Sequence, residues 1–334
     1  MWRVRNPAAR ERWIESAPPV PAVHLPYEAS DGWRASVLFV PPAAGGTGEP
    51  VVLAHALGLS PDAYRYGAGA TLVSRLSAAG FAVYLPTWRG DSEAIAPAVR
   101  TGVSFDDIVE RDLPAALDVA RAHSAYRRVF LIGHGFGGQV AIAHAGRVCA
   151  EGLAGVVAMC APVRFEGPES AVLRLARVLS HVPGAWRLPS DRFGPALAPW
   201  VEGRDRVRGV LWHEADGVRV ELLRQIAAWY DHGSIVDGSG LFDYVAATRD
   251  ARAPLLVAYS AGDALCSEDA ALALVGQWGG EVASLPLPEG FGHLDALFGK
   301  DADAAVYAPI ARWLAARRQA CWEHDGESRL AKAG

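Results

Sequence analysis

From Pro50 onward, short apolar runs alternate with longer segments whose apolar residues recur at helical spacing. The runs are Pro50–His55, Phe81–Leu85, Arg128–Gly133 and Leu153–Cys160, with helical patterns over Pro61–Ala79, Asp106–Ser124 and Gly137–Val148 between them. A continuous apolar run of this length has no polar face to give to water, so it is read as a strand covered on both sides. Strands alternating with helices predict a mostly parallel sheet with helices on both faces, the α/β class. Upstream, Val23–Glu28 and Trp33–Val40 flank Ser30-Asp31-Gly32 and read as a hairpin.

The alternation stops near Arg164 and resumes with Pro254–Tyr259, a helical pattern over Ser267–Trp278, the strand Glu281–Leu287 and a last helix over Asp301–Arg318. The intervening stretch carries helical patterns at Ser170–Ser180 and Val218–Tyr230, no convincing strand, and Trp186, Trp200, Trp212 and Trp229. The strands on either side look like one interrupted series. The stretch is therefore expected to be a helical cap inserted into one sheet. The resulting division is an N-terminal extension 1–22, a first part of the α/β core 23–163, the cap 164–250, a second part of the core 251–320 and a tail 321–334.

Composition narrows the function classes. The formal net charge is −5 and no run of basic residues suggests a phosphate-binding face, so nucleic acid is not an expected partner. The four cysteines (Cys149, Cys160, Cys266, Cys321) are too scattered for a disulfide framework or a paired-cysteine metal site. His213-Glu214 and Asp231-His232 lack the spacing that puts two ligands on one helix face, so no metal is expected. The first residues carry no apolar core of a signal peptide, and no membrane-length apolar stretch occurs. A cytoplasmic protein is the default expectation.

The chemistry is concentrated in Gly133-His134-Gly135-Phe136-Gly137-Gly138, which joins a strand to a helix. Two sites use such a turn. A nucleophile elbow lifts a side chain over the carboxyl end of the sheet and needs small residues on both sides. A dinucleotide site uses Gly-x-Gly-x-x-Gly, which Gly133, Gly135 and Gly138 match literally. The dinucleotide context is poor, because the following strand ends without an acidic residue and three strands precede the motif. A tight glycine turn without chemistry remains a third reading.

Taken with these motifs, the chain resembles the α/β-hydrolase superfamily, in its lipase- and esterase-like branch, over roughly Val23 to Arg318. Val51–Gly58 is similar to the loop that supplies one oxyanion amide, here that of Leu57, with Phe136 after the elbow supplying the other. Thr87–Ser92 is similar to the Arg-Gly loop after the next strand. Tyr259-Ser260-Ala261-Gly262-Asp263 and Gly290-Phe291-Gly292-His293-Leu294-Asp295 follow the strands where that family carries its acid and its histidine. The resemblance implies an α/β-hydrolase fold with eight strands, a helical cap and a site of Asp263, His293 and the elbow residue. The sequence departs from the pattern twice: the elbow residue is Gly135, and His55-Ala56 stands where His-Gly is usual.

Glycine has no atom with which to attack a carbonyl, so no acyl-enzyme forms at Gly135. A His293–Asp263 dyad remains a possible general base, acting through water or the substrate itself on an ester, thioester or related carbonyl. Three other readings stand beside it. The fold could bind a small apolar or acyl ligand without turnover, it could be a Ser-to-Gly variant of a serine esterase, or it could hold a dinucleotide. Cys160 and Cys266 lie near the site by sequence but not on an elbow. Phe136, His55 and His134 are expected to pack or to bond backbone, and Asp263 alternatively to cap the chain that follows it.

Overall fold

The computed structural model describes residues 20–65, 69–91, 93–98, 102–148, 152–166 and 217–321, together with residues 178, 187 and 188. Eight strands form one sheet: β1 (Val23–Glu28), β2 (Arg34–Val40), β3 (Pro50–Ala54), β4 (Ala82–Pro86), β5 (Val129–His134), β6 (Leu153–Met159), β7 (Leu255–Tyr259) and β8 (Val282–Pro286). Their order across the sheet is β1-β2-β4-β3-β5-β6-β7-β8. The hairpin β1–β2 and the contact β2–β4 are antiparallel, and every later pair is parallel. The central strands β3 to β6 are buried residue by residue, the pattern expected where helices cover both faces. The eight-stranded α/β-hydrolase fold expected from the sequence is the fold found. No helix among the described residues is long and apolar enough to cross a membrane.

The helical patterns were right in kind but too continuous. Pro61–Ala79 divides into a single turn at Pro61–Tyr64 and the helix α1 (Leu72–Ala78), with Gly67 and Gly69 between them. Thr71 starts α1 by a reciprocal capping box with Ser74. Asp106–Ser124 becomes α2 (Leu113–Ser124), entered through a wider turn at Ile108–Asp112 in which Leu113 N–H reaches Ile108 O. Pro114 has no N–H to continue the ladder, and the turn before it widens by one residue. Pro309 sits in the same way in α5 (Ala308–Ala315), behind a similar turn at Asp303–Tyr307. Ser267–Trp278 keeps only Glu268–Leu272 as helix and continues as turns.

β6 and β7 are neighbours in the sheet, although the chain between them runs from Cys160 to Pro254. Of that excursion, Ser170–Ser180 apart from Val178, and Trp186, Trp200 and Trp212, lie outside the described residues. The expectation of no strand needs one correction, since Arg187–Leu188 pairs with Val218–Arg219 as a two-residue ribbon. The helix α4 (Val220–His232) returns the chain to the main core. Trp229 is fully buried, donates its indole N–H to Val236 O at 2.8 Å and packs edge-on to Phe105 at 4.8 Å. Gln225 holds the same contact by polar bonds, its Oε1 accepting from Phe105 N–H and its Nε2 donating to Asp106.

The loop after β4 is anchored by a fully buried cation. Arg89 donates from Nε and Nη2 to Asp112 Oδ1 at 2.9 and 2.6 Å, and from Nη1 and Nη2 to Asp31 at 2.7 and 3.1 Å. Its own backbone N–H donates to Asp112 Oδ2. Burial pushes the Asp31 carboxyl up, but bonds from Arg89 and Arg111 outweigh it and hold the group down at about 2. A guanidinium suits this place because its fork of five N–H donors serves two carboxylates at once. Arg89→Met leaves the enclosed Asp112 carboxylate without its cation. The expected loss is about 3–5 kcal/mol of unfolding free energy, read from urea denaturation; a loss under about 1 kcal/mol would deny the pair a structural role.

Candidate functional site

β5 ends at His134 and the helix α3 (Phe136–Arg147) begins at Phe136, so a single residue makes the turn. That residue, Gly135, has φ 53° and ψ −118°, a conformation L side chains rarely adopt. Its N–H donates to Met159 O at 2.9 Å, which ties the turn to β6. The glycines around it are required by contact. A Cβ on Gly137 would lie 2.0 Å from Ala54 O, one on Gly133 2.2 Å from Gly137 O, and one on Gly138 2.5 Å from the Ala161 Cβ. The small positions are thus used by chain packing on chain.

The two distant loops named from the sequence meet at this turn. His293 Nδ1 and Asp263 Oδ2 are 2.8 Å apart, and both side chains are buried. An ionised carboxylate can only accept, so Nδ1 donates to it; in a neutral ring this tautomer leaves the lone pair on Nε2. Nε2 faces the elbow: a Cβ built on Gly135 would lie 2.9 Å from it. Asp263 also serves the local role considered for it, since Oδ1 accepts from Leu265 N–H at 2.8 Å and Cys266 N–H at 3.0 Å. Burial raises the Asp263 carboxyl, but His293 and these amides outweigh it and leave the group below its ordinary range.

Beneath His293 lies His134, with ring centroids 4.5 Å apart. His134 Nε2 donates to the backbone carbonyl of His293 at 2.9 Å, fixing the loop that carries the second imidazole. Burial, then the neighbouring His293, holds His134 down to about 3, so it is neutral near pH 7. Cys160 follows β6 beside the turn, fully buried with φ 49°. Burial, then the Asp263 charge, pushes its thiol well up, which argues against the thiolate needed for attack. Burial and Asp263 do the same to Cys266. A ring nitrogen of His134, one of His293 and Cys160 Sγ lie within 4.8 Å of one another.

The loop after β3 closes the other side. The Ala56 methyl lies 3.7 Å from the Cβ position of Gly135, so the departure from His-Gly puts a methyl against the elbow. His55 pairs through Nε2 with Asp91 Oδ2 at 3.2 Å and stacks on Trp88, while Asp91 Oδ2 also accepts from Trp88 N–H at 2.7 Å. Asp91 therefore joins the two loops named from sequence, a link that needs the fold to become visible. Leu57 and Phe136 both line a cavity of about 20 Å³, together with Val218, Arg219 and Leu222. Phe136 is the first residue of α3, so its N–H has no partner inside the helix.

The description "Serine aminopeptidase, S33" belongs to a family model that matches residues 50–296, from β3 through the His293 loop. The chain belongs to this S33 serine aminopeptidase family. No curated protein matches it as a sequence relative. Similar solved structures include a monoacylglycerol lipase from Paleococcus ferrophilus, 18% identical, TM-score 0.54, covering 89% of this chain and 99% of that one. A thermophilic esterase from Thermogutta terrifontis is 18% identical with TM-score 0.59, covering 90% and 99%. An enol-lactonase from Burkholderia xenovorans is 19% identical with TM-score 0.60, covering 87% and 100%. At such identities the likeness speaks for the fold alone.

In this S33 chain α3 leads away from the elbow through the core, and His144 near its end is buried. Nδ1 bonds Val109 O at 3.2 Å, and burial holds the imidazole at about 4 against an ordinary 6.5. As pH falls, the unfolded chain takes up this proton first. The stability His144 contributes is fully present above about pH 6.5 and is lost towards pH 4, up to about 3 kcal/mol in all. His144→Leu is expected to flatten this part of the pH dependence of the denaturation midpoint; an unchanged slope would disprove the assignment.

Proposed function

We propose that the protein hydrolyses an ester, thioester or related carbonyl compound of small apolar or acyl type, with His293 as general base, Asp263 as its orienting carboxylate and water or a substrate group as nucleophile. The observation that carries this reading is the position of His293 Nε2, held over Gly135 by the bond from Nδ1 to Asp263. Gly135 stands at the apex where the family description implies a serine and has no atom with which to attack, so this reading uses no acyl-enzyme on Gly135. In the step we envisage, Nε2 takes a proton from water as the water oxygen bonds to the carbonyl carbon. The oxyanion is held by the Leu57 and Phe136 amides. The same imidazolium then returns the proton to the departing alcohol or thiol, so protons balance over the cycle. Asp263 stays ionised throughout, as its lowered pKa favours.

The cavity of about 20 Å³ lined by Leu57 and Phe136 is large enough for one water, but neither His293 nor Gly135 lines it. An acyl chain needs more room than this; Val218, Arg219 and Leu222 are part of the lining. Residues 164–250, which supply these three, are read as a cap over the core parts 23–163 and 251–320. The apolar lining from Leu57, Ile108, Phe136 and Leu222 suits an acyl group.

With p-nitrophenyl esters of several chain lengths, His293→Ala is expected to lower turnover by about 10²–10⁴-fold. Equal rates for the two proteins would end the proposal, and binding of the same esters without any turnover would favour a ligand-binding role. A second reading, that the chain is a Ser-to-Gly variant of a serine esterase, draws on the elbow geometry of Gly135. Its Cβ would press on the end of the His293 ring, which can give way, rather than on backbone. Gly135→Ser is then expected to take up a fluorophosphonate label that the unaltered protein does not; no labelling of the folded variant would dismiss this reading.

A further inference from the structure

We infer that His134, Cys160 and His293 form a binding site for a thiophilic divalent metal ion of the zinc class. The three residues come from the ends of β5 and β6 and from the loop after β8, and all are buried. A ring nitrogen of each histidine and Cys160 Sγ lie within 4.8 Å of one another. Two imidazoles and a thiolate are a donor set for zinc and its borderline-soft neighbours, not for calcium or magnesium.

A second observation is independent of the clustering. His134 spends Nε2 on the His293 carbonyl and has Nδ1 enclosed with no hydrogen-bond partner. A buried ring nitrogen in that condition costs free energy, and a metal ion supplies a partner for its lone pair. Both histidines also carry the outer support that metal-bound imidazoles commonly have. One donates to a backbone carbonyl and the other to the Asp263 carboxylate.

Charge and size agree with this assignment. A divalent ion together with the Cys160 thiolate and the Asp263 carboxylate sums to zero, which removes the main cost of burying the ion. Binding exchanges the thiol proton of Cys160 for the metal, and the proton leaves to solvent. Metal–ligand bonds of about 2.0–2.3 Å put tetrahedral ligand atoms roughly 3.3–3.7 Å apart, so the three atoms must draw in by up to about 1.5 Å, within the reach of side-chain rotation. Three protein ligands leave a fourth position for water or another small ligand. The earlier expectation of no metal rested on ligand spacing along the chain, which a site assembled from three separate segments does not display.

Asp263 holds His293 Nδ1, so the metal takes Nε2, the nitrogen proposed as the base; the metal-bound form is then not the hydrolytic one, and the site is tested without hydrolysis. Purified protein is titrated with Co²⁺ and followed for a thiolate-to-cobalt charge-transfer band, and Zn²⁺ stoichiometry is measured by equilibrium dialysis. One ion per chain and a thiolate band are expected. Cys160→Ser should abolish the band, and Cys160→Ser or His134→Gln should each weaken Zn²⁺ binding at least about tenfold. If either variant fails to fold, a chain with Cys149, Cys266 and Cys321 all replaced by serine, keeping only Cys160, must retain the band. Absence of the band in the unaltered protein overturns the inference, as does a band that survives Cys160→Ser or is lost when only Cys160 remains. Loss of ester hydrolysis in His293→Ala with metal binding absent from the unaltered protein would leave the catalytic proposal standing and remove this one.

Discussion

The approach of α3 to the sheet, closer than any side chain allows, is the constraint on which the rest of the site depends. Gly137 brings the helix against the Ala54 carbonyl, Gly138 brings it against Ala161, and Gly133 lets the strand pass beneath. With these contacts made, one residue is left to turn the chain, and Gly135 does so at φ 53°. The turn starts α3 at Phe136 and leaves Gly135 and His134 against His293. Wider spacing at any of the three glycines would move the helix start away from both loops.

Around this turn the structure spends buried polar groups to hold loops, not strands. Arg89 binds the loop after β4 to the β1–β2 turn and to the entry of α2. Asp91 binds the same loop to His55 and hence to the chain beside the elbow. His134 binds the His293 loop by its carbonyl, and Asp263 binds its ring. Loops carry no ladder of their own, so each depends on specific side chains to keep its amides and imidazole in place. These bonds have a directional cost: losing one member leaves its buried partner unpaired.

The alternation of apolar runs and helical patterns was enough to read the α/β class, because a strand covered on both faces has no polar positions to confuse with another element. The order of elbow, Asp263 and His293 was legible only through the family resemblance. Helix continuity was not legible. Pro114 and Pro309 lie inside apolar patterns that periodicity alone reads as unbroken, and the missing N–H changes the hydrogen-bond register only once the helix forms. Apolar residues at helical spacing on both sides of Gly67 and Gly69 make Pro61–Ala79 look like one helix in sequence.

By itself, the amino-acid order determined the architecture and which residues had chemistry to offer, since both are written in local periodicity and in residue type. It determined as well that Gly135 brings no attacking atom. Tertiary structure alone decided which of those residues touch. Asp263 and His293 are 30 positions apart and meet at 2.8 Å, His55 and Asp91 are 36 apart and meet at 3.2 Å, and His134 lies under a ring 159 residues further on. The grouping of Cys160 with two histidines is of the same kind. Distances between side chains on different strands depend on how the sheet orders and registers those strands, and nothing in the spacing along the chain carries that information.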